Sequence, residues 1–151
     1  MFIDKTEKEN ILKPLQIVIG IVERKQTLPI LSNVLIENES DKIRFTATDL
    51  EIQITISIKK LSSDKESSSI TVGGKKFQDI LRILPDQSKV SVELKENKAI
   101  IKCDKSKFSL QTLPAQDFPK LSNQLKKTKK ITLSQIKLKN LLESVQYAMA
   151  Q

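Results

Sequence analysis

"ITVGGKKFQDILRIL" (70–84) is the stretch whose reading organises the chain. Phe77, Ile80, Leu81 and Leu84 fall at i, i+3, i+4 and i+7, one apolar stripe of a helix. Lys75, Lys76, Gln78 and Arg82 occupy the other face, and Pro85 closes the element. "ITV" in front of it reads as a short strand. The pattern returns at an offset of 61 as "ITLSQIKLKNLLESV" (131–145). Ile70 matches Ile131, Thr71 matches Thr132, Phe77 matches Leu138, Ile80 matches Leu141 and Leu81 matches Leu142. A repeat of this kind sets the architecture before any single motif does.

Reading outward fills in the repeat. After the 73–84 helix come "KVSVELK" (89–95), "KAIIKCD" (98–104) and "KFSLQTL" (107–113), three strands with tight turns. Before it, "NVLIENE" (33–39), "KIRFTATD" (42–49) and "EIQITISIK" (51–59) read as an antiparallel meander, followed by the polar loop "SSDKESSS" (62–69). "TEKENILKPLQIVIGIV" (6–22) carries Thr6-x-x-Glu9, a capping box, and then Ile11, Leu15, Val18 and Val22 at helical spacing. Pro14 is expected to bend or interrupt that helix. The order is β-α-β-β-β twice, an α+β arrangement. A third copy opens with a strand plus a helix, apolar at Leu138, Leu141, Leu142, Val145 and Met149, and no strands follow it. The expected organisation is a complete two-unit domain over 1–122, a basic linker over 123–130 ("NQLKKTKK"), and the truncated start of a second domain over 131–151.

Composition narrows the function. The 151 residues include no histidine, one cysteine (Cys103) and three glycines. Serine and cysteine nucleophile sites that rely on histidine are excluded, and a structural zinc site nearly so. No phosphate-cradling glycine loop occurs. A catalytic site would have to use carboxylates, lysine or Tyr147, with Asp49, Glu51 and Asp117 as the obvious carboxylates, and turn or strand-end roles explain all three. The chain is expected to be no enzyme and to need no cofactor or metal. Net charge is +8, which favours a polyanionic partner, nucleic acid first. Almost all of that charge is lysine, and an AT-rich coding sequence accounts for part of it. Few aromatics and few arginines point to phosphate contact without sequence preference. No apolar run reaches membrane-spanning length and no signal-peptide core opens the chain, so a cytoplasmic location is the default.

Five motifs, "LKPLQ" (12–16), "TLPILSN" (27–33), "TATDLEI" (46–52), "TVGGKKFQDILRILP" (71–85) and "KFSLQTLPAQDFPKL" (107–121), resemble in order and spacing the N-terminal domain of the bacterial β sliding clamp family, the processivity subunit of DNA polymerase III. "LLESVQYAMA" (141–150) resembles the first helix of that family's second domain. The resemblance implies the DNA clamp fold: two β-α-β-β-β units, helices on the inner face and antiparallel sheets outside. It implies a ring of two subunits, each of three such domains, closed around duplex DNA. DNA-backbone contact is implied for Lys25 and Lys75, with Arg24 beside the first; Lys13, Arg82 and Lys137 join them from helix-face geometry. Subunit pairing is implied for the edge strand, through Lys76, Lys105, Lys107, Phe108 and Leu110. Lysines there also guard an exposed edge against unwanted pairing. The family's pocket for polymerase and clamp-loader tails would fall after Gln151, so those partners are expected to act only through domains absent here. The alternative is a stand-alone basic module that binds DNA or protein without forming a ring.

"KFSLQTLPAQDFPKL" then divides in two. Lys107 to Thr112 reads as the edge strand. Leu113 to Leu121 ends the first domain, with Pro114 and Pro119 stopping the sheet and Phe118 anchoring the exit.

Overall fold

A computed structural model describes residues 2–22, 28–60, 67–121 and 131–149. The chain divides into two compact units, Met1–Leu121 and Ser122–Gln151. The 123–130 linker lies outside the described residues.

In the first unit the elements run β1 (Ile3–Glu7), α1 (Lys8–Ile19), β2 (Asn33–Asn38), β3 (Lys42–Thr48), β4 (Gln53–Lys59), β5 (Ser68–Gly73), α2 (Gly74–Ile83), β6 (Lys89–Lys95), β7 (Lys98–Cys103) and β8 (Ser106–Leu113). The strands form one curled antiparallel sheet in the order β1-β6-β7-β8-β5-β2-β3-β4. Each repeat lends its first strand to the other. β1 pairs with β6, Ile3 opposite Val92 and Glu7 opposite Lys89. β5 pairs with β2 along its length, from Asn33 opposite Gly73 to Asn38 opposite Ser68. Where the halves meet in mid-sheet, β5 and β8 share only Thr71–Leu113 and Val72–Thr112.

The core forms because both periodicities aim apolar groups at one layer. Helix α1 contributes Ile11, Leu12, Leu15, Val18 and Ile19, and α2 contributes Phe77 and Leu81. Alternate strand residues meet them, including Val34, Ile36, Phe45, Ala47, Val72, Val90, Val92, Ala99, Ile101 and Leu110. Burying one such Leu, Ile or Phe is worth about 1.5–3 kcal/mol. A Cβ on Gly74 would stand 2.9 Å from Val34 Cγ2, so α2 starts close against β2 only because that side chain is missing. Cys103 is buried in the same core.

Several local readings change. Pro14 does not interrupt α1, which is continuous from Lys8 to Ile19. The carbonyl that loses its helical partner belongs to Asn10, an exposed residue that water can serve. The capping box does not form. Thr6 belongs to β1, the N-cap is Glu7, and no side chain caps the helix. The Thr6 hydroxyl instead accepts from Asn10 Nδ2 at 3.3 Å. Gln78 is buried, because it flanks the stripe between Phe77 and Leu81.

In the second unit, α3 (Gln135–Gln146) starts at Ser134, whose hydroxyl accepts from the Lys137 amide at 3.3 Å. Its apolar residues Leu138, Leu141, Leu142 and Val145 are exposed. Residues 131–134 form no strand, contrary to the strand-plus-helix expectation. A strand exists through ladder partners, and no neighbouring strand is present among the described residues of this unit.

Candidate nucleic-acid interface and pairing edge

The exposed side of the two helices is the first candidate surface. On α1 it presents Asn10, Lys13, Gln16 and Ile17, and on α2 Lys76, Asp79, Arg82 and Ile83. Lys75 is half-buried in the first turn of α2. The helices contact one another, so Lys13, Lys75, Lys76 and Arg82 share one layer with Asp79 as the opposing charge. No aromatic ring joins that exposed face. Such a surface attracts phosphates and offers nothing for base stacking. Arg24 and Lys25 lie outside the described residues. Lys137 is exposed on α3, in the other unit.

The second candidate is strand β8. It pairs with β7 from Lys98–Gln111 to Cys103–Ser106, and with β5 only at Thr112 and Leu113. Among the described strands, none pairs with the other edge of residues 106–111. Lys105 sits in the preceding turn and Lys107 on the strand, both exposed. Leu110 is buried in the core and Phe108 packs against that core half-exposed, so the edge offers backbone more than apolar side chains. Lys75 and Lys76 line an open cleft of about 590 Å³ with Ser109, Leu110, Gln111 and Leu113. The start of α2 and the free edge of β8 are thus neighbours.

The carboxylate candidates resolve into turns. Asp49 Oδ1 accepts from the Glu51 amide at 2.9 Å and the Ile52 amide at 2.7 Å, closing the bend between β3 and β4. The Ile52 amide is the main reason its carboxyl is held below the ordinary range. Asp117 sits in a 3-10 turn, its amide donating to Pro114 O at 3.2 Å. Among the described residues no group of three or more His, Cys, Asp or Glu could hold a metal ion. No helix among them is long and apolar enough to cross a membrane.

Two networks carry no motif that would announce them. Lys8 is buried, and its Nζ donates to Leu84 O at 3.1 Å and to Asp86 Oδ1 at 2.7 Å, with Glu9 Oε1 at 3.8 Å. It ties the start of α1 to the end of α2 and serves a carbonyl that α2 leaves open. Buried Thr71 accepts from Asn33 Nδ2 at 3.1 Å and donates to Leu113 O at 2.9 Å. The hydroxyl therefore reinforces the short β5–β8 junction. Helical and strand periodicities mark Lys8 and Thr71 only as ordinary positions, because their partners are distant in sequence.

Comparison with known proteins decides the family. A profile described as "DNA polymerase III beta subunit, N-terminal domain" matches residues 3–122. The chain belongs to the DNA polymerase III beta subunit family. The beta sliding clamp of Pseudomonas putida is 40% identical over 145 residues, covering 96% of this chain and 39% of that protein. The beta sliding clamp of Vibrio harveyi is 39% identical over 142 residues, 94% of this chain and 97% of that sequence. Among solved structures, the beta subunit from Pseudomonas aeruginosa superposes with a TM-score of 0.90 at 37% identity, over 97% of this chain and 39% of that one. The Caulobacter crescentus beta subunit gives 0.88 at 32% identity, with the same coverage. The chain thus spans about two fifths of the length of the first of these relatives. The α+β arrangement expected from the repeat, with the clamp fold implied by the resemblance, is the fold of these beta subunits.

Proposed function

We propose that this chain is part of a sliding clamp that encircles duplex DNA and holds the replicative polymerase to it, acting in the cytoplasm. The observation that carries the reading is family membership together with a helix layer that presents Lys13, Lys75, Lys76 and Arg82 and no stacking ring. Processivity of this kind needs no reacting group. It needs a surface that follows phosphates without registering on bases. Arg24 and Lys25 join that surface in this reading. The free edge of β8, with Lys105 and Lys107, pairs with an acidic strand of another subunit through backbone hydrogen bonds, and the lysines set the charge preference. Polymerase and clamp-loader contacts belong to the parts of the relatives that this chain does not span.

Fluorescence anisotropy with a duplex of mixed sequence, taken across a salt series, tests the DNA contact. Binding should be weak and insensitive to sequence, and should fall steeply with salt. Lys75→Glu/Arg82→Glu should weaken it and flatten the salt slope by about 2, as two phosphate contacts are lost. Undiminished affinity in that variant would remove the helix layer from the interface.

A further inference from the structure

The face of the sheet opposite the helices carries its own charge pattern. On β6, β7 and β8 the residues turned away from the core include Glu93, Lys95, Lys98, Lys102, Lys107 and Gln111, since Val92, Ala99, Ile101 and Leu110 take the core side. The register sets Lys95 directly opposite Lys98, and Lys102 directly opposite Lys107. Like charges facing across a ladder destabilise a sheet. Lys102 reaches Glu93 at 2.7 Å and the Lys95 charge also acts on that carboxylate, but among the described residues Lys95, Lys98 and Lys107 form no salt bridge. On the outer side of the other strands, Arg44 and Lys42 bond Glu39 at 2.8 and 3.2 Å, and Lys120 bonds Glu37 at 2.6 Å. Lysine-rich composition would load both halves alike. Lys42 opposite Lys59 repeats the arrangement on β3 and β4, with Lys42 bonded to Glu39 as Lys102 is to Glu93; among the described residues only Lys95–Lys98 is an opposed pair with no salt bridge on either lysine.

We propose that this outer face of β6–β8 is a second duplex-DNA contact, separate from the helix layer, in which Lys95 and Lys98 clasp one phosphate and Lys107 contacts a second. Two ammonium groups on adjacent strands can both donate to the same phosphate oxygens, which turns their mutual repulsion into a bound-state gain. The two contacts lie about 13 Å apart, the span along β7 from Lys98 to Lys102, which faces Lys107. Glu93 limits the patch by holding Lys102, while Glu96 and Asp104 lie in the flanking turns. Duplex is the occupant because single strands are held largely by stacking, and this face has no aromatic side chain. A duplex also presents a charge every 1.7 Å or so, which suits a patch that works by charge alone. Lys107 lies on the edge strand, yet its outward side chain stays available when the β8 backbone is paired.

The test is K95Q/K98Q/K107Q, which removes both contacts and spares the Lys102–Glu93 bond. The full chain is titrated with duplex by anisotropy at several salt concentrations. The salt slope should flatten by about 2, and the unfolding midpoint should hold or rise as repulsion is relieved. In a second measurement on the unmutated chain, lysine acetylation is mapped by mass spectrometry with and without duplex. Lys95, Lys98 and Lys107 should be protected. This readout stands even where the variant folds poorly. An unchanged slope, or protection confined to Lys75 and the helix layer, overturns the proposal and leaves the helix-side reading intact. Flattening in this variant without any in Lys75→Glu/Arg82→Glu supports it while rejecting the helix layer. Single-stranded DNA of equal length, or an acidic peptide, that protects the same lysines as well as duplex does also overturns it.

Discussion

At the scale of the residue, Lys8 is the most consequential side chain outside the motifs. Its side chain is 4% exposed, while that of Asp86 above it is 93% exposed. The ammonium lies beneath the surface and the carboxylate closes over it. Lys8→Ala would leave the Leu84 carbonyl without its donor at a buried position, a loss of about 1–3 kcal/mol. Urea unfolding should show it, and an unchanged midpoint would mean that water serves the carbonyl equally well. The pair also sets a pH dependence. The hydrogen bond from Lys8, then its charge, holds the Asp86 carboxyl below its ordinary value. A carboxyl depressed in the folded state stabilises it above the unfolded value, and the contribution fades as pH falls through the folded one. The stability difference between the unmutated chain and Asp86→Asn should be present at neutral pH and shrink below about pH 4. A difference constant down to acid would disconnect Asp86 from the effect.

At the scale of the element, periodicity carried most of the fold. The stripe Phe77, Ile80, Leu81, Leu84 and the alternation through β6 to β8 are local signals, so helix, hairpins and repeat could all be read from the chain. Pro14 and the Thr6–Glu9 box misled for a local reason: each is a preference that tertiary contacts override, here the burial of Pro14 and the pairing of Thr6 with Val90. Of the candidate surfaces, the edge strand was legible only through the resemblance of 107–121 to the family, since a single strand's pattern does not say which neighbours it lacks. The cross-strand lysine pairs were not, since register is fixed by turn lengths and core contacts rather than by composition. The β5–β8 junction belongs to this scale too. With only two registered pairs, it leans on the Thr71 hydroxyl. Thr71→Val keeps the shape and removes the bonds to Leu113 and Asn33. It should lower stability by about 1–3 kcal/mol and speed amide exchange at Leu113 more than in β3. Uniform exchange across the sheet would show that the hydroxyl adds nothing at the junction.

At the scale of the whole molecule, the two units differ in what supports them. The first has a closed core. In the second, α3 spans 12 residues with its apolar groups exposed, a length at which isolated helices are marginal in water. Hydrogen exchange should find the amides of α3 the least protected of any helix, close to unfolded rates in a dilute monomer. Protection equal to that of β2 or β3 would mean that something covers its apolar face.

The exchange of first strands between the repeats also has a consequence in time. Ile3 finds Val92, and Glu7 finds Lys89, so β1 is made early and its ladder partner late. At roughly 5–20 residues per second on a ribosome, the N-terminal strand waits several seconds before its neighbour exists. Strands β2, β3 and β4 pair among themselves, but β1 has no native neighbour, and β2 one open edge, until the second repeat has been synthesised. The two halves are therefore a single cooperative event, and a nascent chain stopped between them would emerge with an unmatched edge at each end.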